Sequence, residues 1–168
     1  MAKRLLVICT LLCLDLFVFV LIYESNEEDS VKASTTFYEN VIALTFDDGP
    51  HGTYTKELLE GLKKREVVAS FFILGEHIEG NEELLLQMKE DGHLIGNHTF
   101  SHVKLDELND QTACDEVRRT CEAIESITGE PVEYIRPPYG AYNEKLECMI
   151  NLNKVLWTID PQDWNTTN

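Results

Sequence analysis

Four short apolar runs in this chain each end in a cluster of residue types that do chemistry, and that repetition restricts the fold more than any other feature. Val41-Ile42-Ala43-Leu44-Thr45-Phe46 runs into Asp47-Asp48-Gly49-Pro50, and His93-Leu94-Ile95-Gly96 into Asn97 and the pair His98 and His102. Val132 to Ile135 leads to Arg136-Pro137-Pro138-Tyr139-Gly140, and Lys154 to Ile159 leads to Asp160-Pro161-Gln162-Asp163-Trp164. Short apolar runs closed by turn residues read as buried strands. A further β-branched and aromatic run, Val67 to Leu74, adds a strand without such a cluster. Between them lie helical patterns: Thr55 to Arg65 with Leu58, Leu59 and Leu62 on one face, Glu82 to Glu90 stopped by Gly92, and Asn143 to Leu152. The longest, about Asp110 to Thr128, carries Cys114, Val117, Cys121, Ile124 and Ile127 as one stripe and ends at Gly129. Strands alternating with helices specify a parallel α/β sheet, in which residues just past the strand ends converge on one face.

That convergence gives the clusters a joint meaning. Two imidazoles four apart can point the same way over a helical turn or a tight loop, but a His-x-x-x-His pair alone is commonplace. A carboxylate from a second strand end completes a two-His, one-Asp arrangement with open positions, suited to Zn²⁺ or another divalent first-row ion. Asp47 and Asp48 are neighbours whose side chains diverge, so one can bind metal while the other faces a water. Arg136 would hold Asp47 ionised beside it. After Pro137 and Pro138, which lack N–H donors, the next donor is that of Tyr139, placed to stabilise an oxyanion. Asp163 and Trp164 supply an acid and an apolar wall. Taken singly, each has an ordinary structural reading: a turn pair, a buried ion pair, a core Trp. His51, His77 and His93 lack comparable context. Asn97-His98-Thr99 and Asn165-Thr166-Thr167 match the glycosylation pattern by chance, since a glycan at Asn97 would sit on the neighbouring ligand.

Composition sets the boundaries. The 168 residues suffice for one domain, and a formal charge of −16 excludes an electrostatic nucleic-acid binder. No Gly-rich phosphate loop follows the first strand, which favours a βα barrel over an open dinucleotide-binding sheet. Five strands are fewer than the eight units of a full barrel. Of the five cysteines, Cys114 and Cys121 stand on one helix about 10 Å apart, too far to bridge. With Cys148 the domain holds an odd number and no Cys-x-x-Cys, so neither a disulfide framework nor a zinc cluster is expected.

The amino terminus differs in kind. After Lys3 and Arg4, residues 5–23 are apolar except for Thr10 and Asp15, and a helix of that length rises roughly 28 Å, close to a bilayer's hydrocarbon core. Asp15 costs about 3 kcal/mol on insertion scales, outweighed by the Leu, Ile, Val and Phe around it. The expectation is an uncleaved anchor over residues 1–23 with the remainder outside the cell membrane; a cleaved signal peptide and a secreted product form the rival reading. Cys9 and Cys13 fall inside it. Residues 24–40, acidic and without apolar periodicity, read as a flexible linker, and residues 41–168 as the folded domain.

The four clusters, in this order and over about Val41 to Asn168, resemble the polysaccharide deacetylase family, the NodB-homology domain of carbohydrate esterase family 4. The resemblance implies a distorted (β/α) barrel that removes acetyl groups from N-acetylglucosamine polymers with a bound divalent metal, zinc foremost and Co²⁺ or Mn²⁺ as alternatives. Peptidoglycan or chitooligosaccharide would be the glycan. By the same resemblance Asp48, His98 and His102 are metal ligands, Asp47 the general base, and Arg136 the residue orienting it. Pro138, Tyr139 and Trp164 line the substrate site, with Tyr139 lending its backbone N–H to the oxyanion, and Asp163 tunes a catalytic His. The family's later Leu-x-His segment, which supplies the general acid, does not occur before Asn168. The expectation is therefore a domain truncated at its C-terminus, incomplete as a barrel and weakly active or inactive alone. The alternative is an impaired relative that binds metal or glycan.

Overall fold

In the computed structural model, residues 41–143, 146 and 151–165 are described. The expected anchor (1–23), the acidic linker (24–40), Cys148 and most of the expected helix at 143–152 lie outside them. Among the described residues no helix is long and apolar enough to cross a membrane.

Strands β1 (Thr45–Gly49), β2 (Ser70–Ile73), β3 (Leu94–Asn97), β4 (Tyr134–Ile135) and β5 (Asn153–Lys154) form one sheet in sequence order, every neighbouring pair parallel. Helices α1 (Tyr54–Lys63), α2 (Glu82–Glu90) and α3 (Asp110–Thr128) fill the crossovers. β2 is the most buried strand. Phe71, Phe72 and Ile73 are all buried, as a strand covered on both faces requires. The helices bury stripes at helical spacing: Thr55, Leu59 and Leu62 on α1, Leu84, Leu85 and Met88 on α2, and Ala113, Val117, Thr120, Ile124 and Thr128 on α3. Asn109 caps α3 by accepting the Thr112 N–H at 3.0 Å, and Gly129, at φ 70°, ends it in the left-handed conformation.

Two strand limits depart from expectation. The first run begins at Thr45, not Val41, because Val41 and Ile42 are largely exposed and have no covered face to pack on. It also runs on through Asp47 and Asp48, where a turn was expected. The last strand stops at Lys154 because the carbonyls of Val155 and Leu156 accept from the Arg136 side chain instead of a neighbouring strand. Leu156, Trp157 and Ile159, expected in that strand, are exposed.

The sheet is strongly curved. In a flat sheet β1 and β4 would lie about 14 Å apart, three strand spacings. Yet the Arg136 guanidinium, just past β4, donates to both Thr45 Oγ1 and Asp47 Oδ1 of β1 at 2.8 Å. Curvature of that degree brings the strand ends around one axis, as a barrel does.

Gly75, following β2, carries the packing under the His98–His102 loop. Its N–H donates to Thr99 O at 3.0 Å, and a Cβ built on it would lie 2.7 Å from Thr120 Oγ1 and 3.1 Å from Phe100 Cα. Gly75→Ala is expected to destabilise the fold by about 1–3 kcal/mol, as over-packing does. A urea titration would show a lower midpoint at unchanged slope; an unchanged midpoint would contradict this packing.

Candidate metal centre

β1 carries one residue more than β2 between paired positions. Phe46 pairs with Phe71 and Gly49 with Ile73, so three steps on β1 match two on β2. This bulge falls on Asp47 and Asp48, and Asp48 sits in the left-handed region at φ 65°. The local kink separates the two carboxylates. Asp47 accepts from Arg136, and Asp48 turns toward the two histidines.

His98 follows β3 directly and His102 lies in the loop beyond it; a loop, not a helical turn, aligns them. Hydrogen bonds from several segments hold that loop, although the buried Thr99 Oγ1 has no partner among the described residues. The Thr99 N–H donates to Asn97 Oδ1 at 2.7 Å, and Gly75 and Glu76 donate to the carbonyls of Thr99 and Phe100 at 3.0 Å. Glu116 of α3 accepts from Phe100 N–H, Ser101 N–H and Ser101 Oγ at 3.1, 2.8 and 3.0 Å through one oxygen. Asn97 is fully buried and donates to Val117 O and Cys121 Sγ, so it offers nothing to a glycan. Cys114 and Cys121 form no disulfide.

The two imidazoles meet one carboxylate oxygen. Asp48 Oδ1 lies 3.4 Å from His98 Nε2 and 3.3 Å from His102 Nε2, and one ligand atom from each residue lies within 4.8 Å of the others. The outer nitrogens decide what this means. His98 Nδ1 is 2.5 Å from the Arg136 carbonyl, an acceptor only, so Nδ1 carries the proton. In the neutral ring Nε2 is then a bare lone pair facing a carboxylate oxygen. Two acceptors at that distance require positive charge between them, either a second proton on the ring or a metal ion. The donor set therefore fits a divalent cation with imidazole and carboxylate ligands. His98, above all by hydrogen bonding, and His102 by its charge hold the Asp48 carboxyl below the usual carboxylate range, against the opposing effect of partial burial.

Arg136 is 3% exposed and fully engaged. Besides Thr45 and Asp47 it donates from Nε to Val155 O at 3.2 Å and from Nη2 to Leu156 O at 3.0 Å, and its guanidinium stacks 4.2 Å from the Phe72 ring centroid. Pro138 is buried and holds the turn that follows. Tyr139, at φ 60°, is 63% exposed, and its hydroxyl lies 3.2 Å from His102 Nδ1. Asp163 and Trp164 are in the exposed turn Asp163–Asn165. Trp164 is 74% exposed with its ring N–H toward Asp160 Oδ1 at 3.4 Å.

Sequence reasoning missed several contributors. His77, set aside above, directs Nδ1 at the Asp48 carbonyl at 2.9 Å and so supports the strained aspartate backbone. Asn97, Glu116 and the Tyr139 hydroxyl reach the loop or its histidines from elsewhere in the chain, and no local pattern marks them. His51, by contrast, has a structural part: Nδ1 accepts from the Thr53 and Tyr54 N–H groups at the start of α1. His93 is buried, with Nδ1 accepting the Ala69 N–H.

Residues 34–154 match the family model described as polysaccharide deacetylase. The chain is 39% identical over 130 residues to peptidoglycan-N-acetylmuramic acid deacetylase PdaC of Bacillus subtilis, covering 77% of this chain and 28% of that protein. It is 38% identical over 126 residues to a peptidoglycan-N-acetylglucosamine deacetylase of Bacillus cereus (73% and 46%), and 40% identical over 134 residues to a chitooligosaccharide deacetylase of Rhizobium leguminosarum bv. trifolii (74% and 59%). The solved structure of PdaC superposes with a TM-score of 0.73 at 39% identity, covering 76% of this chain and 63% of that one. The chain thus spans less than two thirds of the length of each of these proteins.

The site predicts a particular pH dependence. Imidazole and carboxylate groups ligate a metal only in their deprotonated forms, so acid competes with the ion for the site. Zn²⁺ affinity, measured by competition with a chromophoric chelator, is expected to weaken more than tenfold between about pH 7.5 and about pH 5.5. Affinity constant down to about pH 4.5 would contradict the assignment of two imidazole ligands. In the metal-free protein the depressed Asp48 carboxyl contributes stability above the ordinary carboxylate pKa, lost as pH falls through its lower folded-state value.

Proposed function

The chain belongs to the polysaccharide deacetylase family, and from that membership we propose that it is a metal-dependent N-deacetylase acting on N-acetylglucosamine-containing cell-wall glycan. The observation that carries this reading is the β1 bulge. It assigns one of two adjacent carboxylates to a pair of imidazoles and the other to a guanidinium. A lone metal site would need no Arg136–Asp47 pair beside it. A structural ion pair would need no imidazoles.

Asp48, His98 and His102 would hold the ion, zinc being the best match to two imidazoles and a carboxylate, with Co²⁺ or Mn²⁺ as alternatives. A divalent ion there supplies Lewis acidity, polarising the amide carbonyl and acidifying water. Asp47 is the general base. Arg136 fixes one carboxylate oxygen, so the other takes the proton from the attacking water. The Tyr139 backbone N–H, in a left-handed turn between two prolines and Gly140, is the oxyanion donor. Names of the relatives support an acetylated wall glycan or its oligomers as substrate, with the muramic and glucosamine residues as competing choices. Residues 1–23 would anchor the domain at the cell membrane facing that wall.

The test is acetate release from N-acetylated chitooligosaccharide and from peptidoglycan by the Zn²⁺-loaded protein. Release above background is expected, abolished by a chelator and lowered about 10²–10⁴-fold in Asp47→Asn. Release undiminished in Asp47→Asn, or none from either glycan by protein that has bound metal, would contradict the proposal.

A further inference from the structure

The two histidines of the metal centre are supported differently at their outer nitrogens. His98 Nδ1 faces the Arg136 carbonyl, which only accepts. His102 Nδ1 faces the Tyr139 hydroxyl at 3.2 Å, which can donate or accept. Both partners come from one stretch, Arg136 to Tyr139, just past β4. The Tyr139 ring is also close to His102, with centroids 4.9 Å apart and planes at 60°, while Lys104 Nζ lies 5.6 Å from its centroid.

The backbone supplies an independent observation. Six non-glycine residues among those described have positive φ, and four of them belong to this site: Asp48, Thr99, His102 and Tyr139. Each such residue costs about 1–2 kcal/mol, and clustered strain marks a place where side-chain position has a use. Tyr139 is largely exposed, so apolar burial does not explain why its backbone is held this way.

We propose that the Tyr139 hydroxyl is a positioning residue for the metal centre, accepting the His102 Nδ1–H in the ring form that leaves Nε2 bare for an ion. This inference rests on the metal reading of Asp48, His98 and His102. A neutral imidazole in water carries its proton on either nitrogen, and only one form presents a lone pair toward Asp48. When Nε2 bears the proton it points at Asp48 Oδ1 and the hydroxyl donates to Nδ1. For Nε2 to ligate a cation, its proton would have to pass to solvent and Nδ1 would have to take one from solvent, with the hydroxyl turned to accept it. The charge of the ring is the same in both forms. Arg136 O allows His98 no such exchange, so His98 is set in its ligand form and His102 is adjusted by Tyr139. This role belongs to the side chain and is separate from the oxyanion role of the same residue's N–H.

Tyr139→Phe removes the hydroxyl and retains the ring, the backbone and the Lys104 contact. Zn²⁺ affinity of wild type, Tyr139→Phe and Tyr139→Ala, by chelator competition at neutral pH, measures the hydroxyl apart from the ring. The Phe variant is expected to bind about tenfold more weakly, with an altered absorption spectrum of its Co²⁺ form and an unchanged melting temperature without metal. Equal affinity and spectrum for wild type and Tyr139→Phe would overturn the inference, whatever Tyr139→Ala does. Failure of the wild type to bind would instead overturn the metal reading beneath it.

Discussion

The buried guanidinium of Arg136 is the point on which the rest of the domain depends. It stands just past β4, yet it bonds to β1 through Thr45 and Asp47, to the chain after β5 through two carbonyls, and to β2 by stacking on Phe72. Its own N–H donates to Asn97 O at the end of β3, and its carbonyl accepts from His98. One residue thus contacts every strand of the sheet or its continuation and both halves of the candidate site. A guanidinium suits this position because its planar fork satisfies several acceptors at fixed angles, and a lysine could not. Burying it without these partners would be strongly unfavourable. The curvature of the sheet and the orientation of Asp47 are therefore one structural fact.

From that hub the chemistry follows by division of labour. The β1 bulge splits Asp47 from Asp48, and His98, facing Asp48 Oδ1 with a bare nitrogen, creates a demand for positive charge. Strain at Asp48, Thr99, His102 and Tyr139 is held in place by hydrogen bonds from outside the strands. Glu116 and Gly75 bind the loop between the histidines, and His77 binds the Asp48 carbonyl. Such a site is preorganised, so little rearrangement remains for a bound ion to bring about.

Much of this was legible in the sequence because parallel strands deliver their chemistry at their C-terminal ends. Asp47, Asp48, His98, His102 and Arg136 announce themselves there as polar residues interrupting apolar runs, and the alternation of strands and helices followed from the same runs. The parts that were not legible have a common cause, namely that they depend on contacts between distant segments. Apolar periodicity at Val41 to Leu44 says strand, but among the described residues that stretch is exposed. The apolar run through Leu156 to Ile159 says strand, but its carbonyls are taken by Arg136. Asp47-Asp48-Gly49-Pro50 reads as a turn because a bulge leaves no trace in a two-residue period. Glu116 and the Tyr139 hydroxyl reach the histidine loop across 15 and 37 positions, respectively, beyond any local pattern.

X-ray absorption at the zinc edge, on protein loaded with one equivalent of Zn²⁺, reads the identity of the donor atoms. A single site with two imidazoles and otherwise oxygen ligands is expected, reduced to one imidazole in either His98→Ala or His102→Ala. Tight binding with a ligand set that neither substitution alters would mean that the ion sits elsewhere, and the shared grip of Asp48, His98 and His102 would be refuted.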